Sequence, residues 1–277
     1  MIPVAFEYQK AKTVDEALSV LSNGEAKILA GGYSLVPAMK LRISRPSKLV
    51  DIAGIEELKG IDEEDGQVII RSGTTHNEIL RNDIIRRHLP FFIQAAGTIG
   101  DTQVRNRGTI GGSLAHADPA ADWPALVLAA DATLEVRSSA KNRNIKATDF
   151  FTGSFSTQLQ DDEIITAIRI NIPPGGARSV YLNFEQPASR FAIVGCAVLR
   201  YPDRRINIAF TGVAEMPFRD TSSERELSGK DINAENIARA LDVSLRDIDI
   251  SGDHFASAEY RKHLAKVYLK KSLEAVA

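Results

Sequence analysis

Residues 173–176 read Pro-Pro-Gly-Gly. Two successive prolines remove two backbone donors and fix φ, and two glycines then release the chain. Neither a helix nor a strand runs through such a stretch, so it marks a boundary. It divides the 277 residues into 1–174 and 175–277. A chain of this length suits two units of about 150 residues or fewer.

The two parts are patterned differently. The first alternates strand and helix signals. Thr13-x-x-Glu16 and Thr75-x-x-Glu78 both have the form of a capping box. Val14, Ala17, Leu18 and Leu21 follow the first at helical spacing, and Gly24 ends that pattern. The helix opened by Thr75 must end before Pro90. Lys27–Ala30 reads as a short buried strand, and Leu49–Ile52, Gln67–Arg71 and Thr133–Arg137 as further strands. Glu163–Ile172 alternates, with Ile164, Thr166, Ile168, Ile170 and Ile172 predicted on one face. Beyond the boundary, Gly195–Tyr201 and Arg205–Val213 read as strands. Ile206, Ile208 and Phe210 alternate there with Asn207 and Ala209. Two helical stripes follow, Ile237/Ala240/Leu241 and Tyr260/Leu264/Val267/Tyr268. The last third is therefore a small sheet followed by helices, an α+β unit.

Composition excludes several functions. With 34 basic and 36 acidic residues the net charge is −2, which gives no bulk attraction to nucleic acid or a membrane surface. No apolar run approaches the roughly 20 residues of a membrane span, and the N-terminus lacks a signal-peptide core. The cytoplasm is the expected compartment. The single cysteine, Cys196, lies in the apolar run AIVGCAVL and is expected to be buried. One cysteine supports neither an internal disulfide nor a cysteine-ligated iron–sulfur cluster on this chain alone. No phosphate-loop, Rossmann, HExxH, CxxC or GxSxG pattern occurs, and the five histidines lack metal-ligand spacing.

What remains is a pair of glycine turns about 80 residues apart. They are Ala30-Gly31-Gly32-Tyr33-Ser34-Leu35 and Thr109-Ile110-Gly111-Gly112-Ser113. Glycine pairs let backbone N–H groups approach an anion, and successive N–H groups form an anion-binding concavity. Two such turns could clamp a diphosphate. The plainer alternative is two tight turns that need positive φ. Asp118 and Asp122 follow the second turn, either to accept from sugar hydroxyls or to cap helices before Pro119 and Pro124. Arg105 and Arg107 suit a phosphate, a partner or a solvated loop. His76 suits a helix start, and Trp123 and Phe191 suit the core or a planar ligand.

Longer stretches around both turns are more specific. The first runs Ala30-Gly31-Gly32-Tyr33-Ser34-Leu35-Val36-Pro37, with Lys40-Leu41-Arg42, Arg45-Pro46 and Leu49-Val50-Asp51-Ile52 behind it. The second runs without a break from Arg105 to Asp122. Together they resemble the FAD-binding medium subunit of the molybdenum hydroxylases, the group of aerobic carbon monoxide dehydrogenase and xanthine dehydrogenase. The resemblance implies an α+β fold. A vanillyl-alcohol-oxidase-type (PCMH-type) FAD domain of two lobes, about 1–55 and 56–174, would precede a C-terminal α+β domain with a three-stranded sheet and a helical bundle.

It implies site residues too. Leu29, Ala30, Gly31, Gly32, Tyr33, Ser34 and Leu35 would form the first FAD loop, and Thr109, Ile110, Gly111, Gly112 and Ser113 the second. Asp122 would bind the flavin's sugar portion, Ile99 and Ile165 would line the adenine or ring-edge pocket, Phe191 would face the isoalloxazine, and His116 would lie close to the flavin. The family more often has glutamine or histidine at Tyr33 and asparagine at Ser113. The implied function is passage of electrons from a small iron–sulfur subunit through FAD to an external acceptor. A large subunit with the molybdopterin cofactor would carry out the hydroxylation, and two-iron two-sulfur clusters would also lie on partners, in a dimer of heterotrimers. The alternatives are a stand-alone FAD-dependent dehydrogenase or oxidase, which the short C-terminal third disfavours, and a non-catalytic assembly subunit with a decayed site, which the intact glycine pairs and Asp122 disfavour.

Overall fold

The computed structural model describes residues 1–22, 24 and 26–277. Its three larger sheets follow one another along the chain. The first contains β1 (Glu7–Lys10), β2 (Ala26–Leu29) and β3 (Lys48–Asp51), all parallel in the order β1-β3-β2. Parallel neighbours need crossovers, and helices Val14–Leu21 and Leu35–Lys40 supply them. Thr13 caps the first by accepting from Glu16 N, but the Glu16 carboxylate accepts from Lys12 N, so only half of the expected box forms. The strand expected to be buried, β2, is a half-buried edge strand because β3 lies at the centre.

The second sheet is antiparallel. It contains β4 (Ile61–Glu64), β5 (Gln67–Arg71), β6 (Thr133–Arg137), β7 (Asn142–Lys146) and, after the small hairpin of β8 (Phe151–Gly153) and β9 (Ser156–Thr157), β10 (Ile164–Asn171). The order is β4-β5-β10-β6-β7. Its core includes Phe91, Phe92, Trp123 and Phe150, all fully buried. The Thr75–Glu78 capping box is complete, but its helix stops at Arg81, where Asn82 closes it and caps the next helix, Asp83–His88. Pro90 then opens the helix Pro90–Thr98 at its first position.

A bulge in β10 corrects the predicted alternation. The pairing with β6 shifts between Ile165 and Ala167. One extra residue reverses which side chains face the core. Ile164 therefore packs in the core beneath the first sheet, while Ile165 joins Ile168 and Ile170 in the core of the second.

The third sheet contains β11 (Arg178–Glu185), β12 (Ala192–Arg200), β13 (Ile206–Thr211) and the two-residue β14 (Phe218–Arg219), antiparallel in that order. The expected three-stranded sheet thus has a short fourth edge strand. Helices Thr221–Leu227, Ala234–Val243 and Ala258–Ala275 follow. Ile206, Ile208 and Phe210 face a core shared with these helices. The opposite face of the sheet is buried as well. Tyr181, Ala197 and Ala209 belong to the core of the second sheet, and Asn207 Nδ2 donates to Ala129 O (2.8 Å) and Asp131 Oδ2 (2.9 Å). Cys196 is fully buried as expected, and burial pushes its thiol up to about 12. No helix among the described residues is long and apolar enough to cross a membrane.

Candidate functional site

The structure brings the two glycine turns into contact. Gly31 lies against the backbone of residues 107 and 108, where a Cβ would stand 2.3 Å from Arg107 O and 2.8 Å from the Gly108 Cα. Only a glycine permits that approach. A Cβ on Gly112 would stand 3.7 Å from the Ala30 Cβ, a second contact between the turns. Gly32 has φ +83°, so the first turn is also a tight turn in the ordinary sense.

The donors of the two turns differ. In the second, Ile110 N donates to Thr74 O (3.1 Å), Gly111 N to Ser72 O (2.9 Å), Gly112 N to Thr109 Oγ1 (3.1 Å) and Ser113 N to Thr109 O (3.0 Å). Its four successive amides are satisfied inside the protein, with Thr109 capping the helix Ile110–His116. A Cβ on Gly111 would meet Ser72 Cβ at 2.5 Å and Ser72 O at 2.7 Å, so this glycine packs the loop onto the segment after β5. In the first turn, the amides of Gly31, Gly32, Tyr33, Ser34 and Leu35 have no acceptor among the described residues. The Ser34 hydroxyl makes no capping bond, and Tyr33 and Ser34 are exposed. Successive unengaged amides on a glycine turn form a cradle for an anion. The first turn presents the donors, and the second buttresses it.

Flanking groups tie this pair to the rest of the chain. His76 is buried, accepts at Nδ1 from Trp123 Nε1 (3.1 Å), and has Nε2 under Gly108. Burial, aided by the Arg105 charge, pushes His76 down to about 4. It is therefore neutral at pH 7 and holds the second turn from below. Trp123 is core. Arg105 is half-buried, and its guanidinium donates to Ile99 O and Gly100 O, both at 3.0 Å. Arg107 is exposed. Ile99 is half-exposed on that same loop, whereas Ile165 is 4% exposed within the core of the second sheet.

The third sheet closes on the same region. Arg190, at φ +63°, donates to Gly100 O (3.2 Å), Ala192 N to Ala120 O (3.1 Å) and Gly212 N to Pro119 O (2.7 Å). Buried Arg261 donates to Ile193 O (2.6 Å) and Gly212 O, fixing this edge of β12 and β13. Phe191, beside Arg190, is 44% exposed and so is not a core residue. His116 is half-buried, its ring 5.1 Å from that of the exposed Phe155, and burial together with Lys27 holds it below the usual imidazole range.

Neither aspartate caps a helix. Asp118 Oδ1 accepts from Ala120 N (2.9 Å) in a local turn. Asp122 is 4% exposed, and its Oδ1 accepts from Tyr181 Oη (2.5 Å) and Asn183 Nδ2 (3.1 Å) on β11. Burial pushes its carboxyl up to about 7, against the lowering effect of those two donors. Asp122 thus joins the third sheet to the segment after the second turn. Tyr181, Asn183, Arg190 and Arg261 carry no motif, and their distance in sequence from the turns hid them. Arg190 in Ser189-Arg190-Phe191 was the nearest thing to a signal.

Fold and site together define a class: an α+β protein in which a glycine turn with free amides is braced by a second glycine turn, and a third sheet bonds to the segments on either side of that second turn. Comparison with known proteins narrows the class. Residues 4–173 match the family described as the FAD binding domain in molybdopterin dehydrogenase, and residues 179–276 match the CO dehydrogenase flavoprotein C-terminal domain. The carbon monoxide dehydrogenase medium chain of Hydrogenophaga pseudoflava is 36% identical over 281 residues, covering 99% of this chain and 98% of that one. The glyceraldehyde dehydrogenase medium chain of Sulfolobus acidocaldarius is 35% identical over 282 residues, covering 100% of both. A solved structure of carbon monoxide dehydrogenase from Hydrogenophaga pseudoflava, in a form lacking the Mo-pyranopterin moiety, superposes with a TM-score of 0.96 at 37% identity, covering 100% of this chain and 98% of that chain. The chain belongs to the FAD-binding medium subunits of the molybdenum hydroxylases. It is accordingly an oxidoreductase subunit, and FAD is its cofactor. The residues present fit that cofactor, because the free amides of 31–35 are donors that a diphosphate could take up.

Proposed function

We propose that this chain relays electrons from a small iron–sulfur subunit to an external acceptor, with hydroxylation on a separate large subunit that carries the molybdopterin cofactor. The observation that carries the reading is the run of five unengaged amides at 31–35, pressed against residues 107 and 108. These amides and the Ser34 hydroxyl would hold the diphosphate, with Leu29 and Ala30 leading into the turn. Thr109, Ile110, Gly111 and Gly112 would hold the first turn in place, and the half-buried Ser113 hydroxyl would add a donor. Phe191 and Ile99 would offer apolar surface to the flavin, and His116 would stand near it. Ile165 and Asp122 would act through the packing beneath the site.

FAD, when bound, supplies the redox chemistry. This chain's part is to bind and orient it. A neutral, enclosed His76 and a carboxyl shared with Tyr181 and Asn183 offer no free acid or base at the donor turn. One cysteine, buried at position 196, cannot ligate an iron–sulfur cluster by itself, which supports clusters on partner subunits. The relatives' names differ in substrate, carbon monoxide in one and glyceraldehyde in another, which fits a substrate pocket on another subunit. A dimer of heterotrimers in the cytoplasm is the assembly proposed.

The test is an ultraviolet–visible spectrum of the purified chain, incubated with FAD and desalted, and of the complex purified whole. About one FAD per chain in either preparation supports the reading. A colourless protein in both overturns it.

A further inference from the structure

The flavin site leaves unused the Lys40-Leu41-Arg42 and Arg45-Pro46 part of the N-terminal stretch. Among the described residues, seven of the twelve large hydrophobic side chains that remain exposed lie within the first 43 residues. Two of them, Leu41 at 53% and Ile43 at 79%, sit on the turn after the helix Leu35–Lys40. That turn is a Schellman motif, with Arg42 N donating to Met39 O (3.0 Å) and Ile43 N to Ala38 O (2.9 Å). Two of its features run against local stability. Arg42 stands at φ +60°, a position where glycine carries no penalty. The motif normally packs the residue of Ile43's position back against the helix, yet Ile43 projects into solvent.

The surroundings are one-signed. Residues 26–50 contain five basic side chains and no acidic one, in a chain of net charge −2. Lys40, Arg42 and Arg45 are exposed, and none forms an ion pair among the described residues. Arg45 Nε donates to Arg42 O (3.0 Å), which fixes the turn.

We propose that the turn Lys40–Arg45 is a docking surface for a protein subunit, one whose matching face is an apolar pocket rimmed by carboxylates, with Ile43 as the anchor. This rests on reading the chain as one subunit of a complex. A fixed turn that holds an isoleucine outward between unpaired cations suits a shaped pocket with an acidic rim.

The experiment purifies the whole complex through a tag on this chain and measures iron and molybdenum per FAD, together with the native mass. In Ile43→Glu, FAD per chain is expected to stay at the wild-type value while iron and molybdenum per FAD fall about tenfold or more, as for a central anchor. Arg42→Gly is expected to hold or raise Tm while losing the partners at lower salt than wild type, a result that a merely structural role would not give. Wild-type iron and molybdenum in Ile43→Glu overturn the docking surface alone. A wild-type chain that carries FAD with neither metal overturns the subunit reading and the docking surface with it. If Ile43→Glu instead splits a pair of identical chains and leaves both metals in place, the surface joins two copies, and the proposal fails.

Discussion

The two glycine turns look alike in sequence, yet they do opposite work. The first faces outward with five amides free, while the second has four amides bonded and its leading glycine packed on Ser72. An anion site requires unsatisfied donors, but it also requires something rigid behind them. Here those requirements fall to different turns. Glycine serves the first through close approach to another backbone, and the second through packing of a loop onto a sheet.

Substitutions can break this contrast. Gly31→Ala would press a methyl group onto the Arg107 carbonyl, and the backbone on both sides leaves nothing flexible to yield. Loss of retained FAD is expected, with far-ultraviolet circular dichroism unchanged. Full FAD retention would show that the turns need not touch. Gly111→Ala collides with Ser72, so its first effect should be on stability, about 3 kcal/mol at the top of the overpacking range. Denaturant midpoints without FAD measure this directly. Loss of FAD at unchanged stability would instead put Gly111 at the ligand.

Asp122 extends the contrast to the segment after the second turn. Its folded pKa, about 7, lies above the ordinary carboxylate value, so the folded state binds this proton more tightly than the unfolded chain. The group's stabilisation is complete below about pH 4 and is lost as pH rises toward 7. Asp122→Asn retains an acceptor for Tyr181 and Asn183 but has no charge to desolvate. Relative to wild type it should gain on the order of 4 kcal/mol between pH 4 and pH 8, read from paired denaturation curves. A constant difference across that range would mean that the carboxylate is well solvated.

The smallest effects sharpen the comparison. Thr109→Ala removes a helix cap and should cost about 1 kcal/mol. Ser34→Ala removes a hydroxyl without a capping bond and should change stability by no more than roughly 0.5 kcal/mol, while weakening FAD retention. If the two variants behaved alike in both measurements, the division of labour between the turns would be wrong.

Much of the local structure was legible because its causes are local. Thr75 and Glu78 form their capping box three residues apart, and the apolar stripe of Val14, Ala17, Leu18 and Leu21 is buried as spacing predicts. The alternation in β13 placed Ile206, Ile208 and Phe210 on a core face correctly. It said nothing of Asn207 and Ala209, whose side of the sheet is buried against the helix Trp123–Ala129 of the other part. In β10 the bulge was invisible, because nothing in a run of isoleucines marks where one residue drops out of register.

The sequence by itself determined the helix starts at Thr13 and Thr75, the core face of β13 and, through the two motif stretches, the family and its cofactor. These depend on neighbours in the chain and on patterns a few residues long. Tertiary structure decided which turn keeps its donors free, because an amide's availability depends on whether a distant carbonyl such as Ser72 O or Thr74 O reaches it. It also made Asp122 a buried link to Tyr181 and Asn183, about 60 residues away. A sequence lists donors and acceptors, but only the fold pairs them.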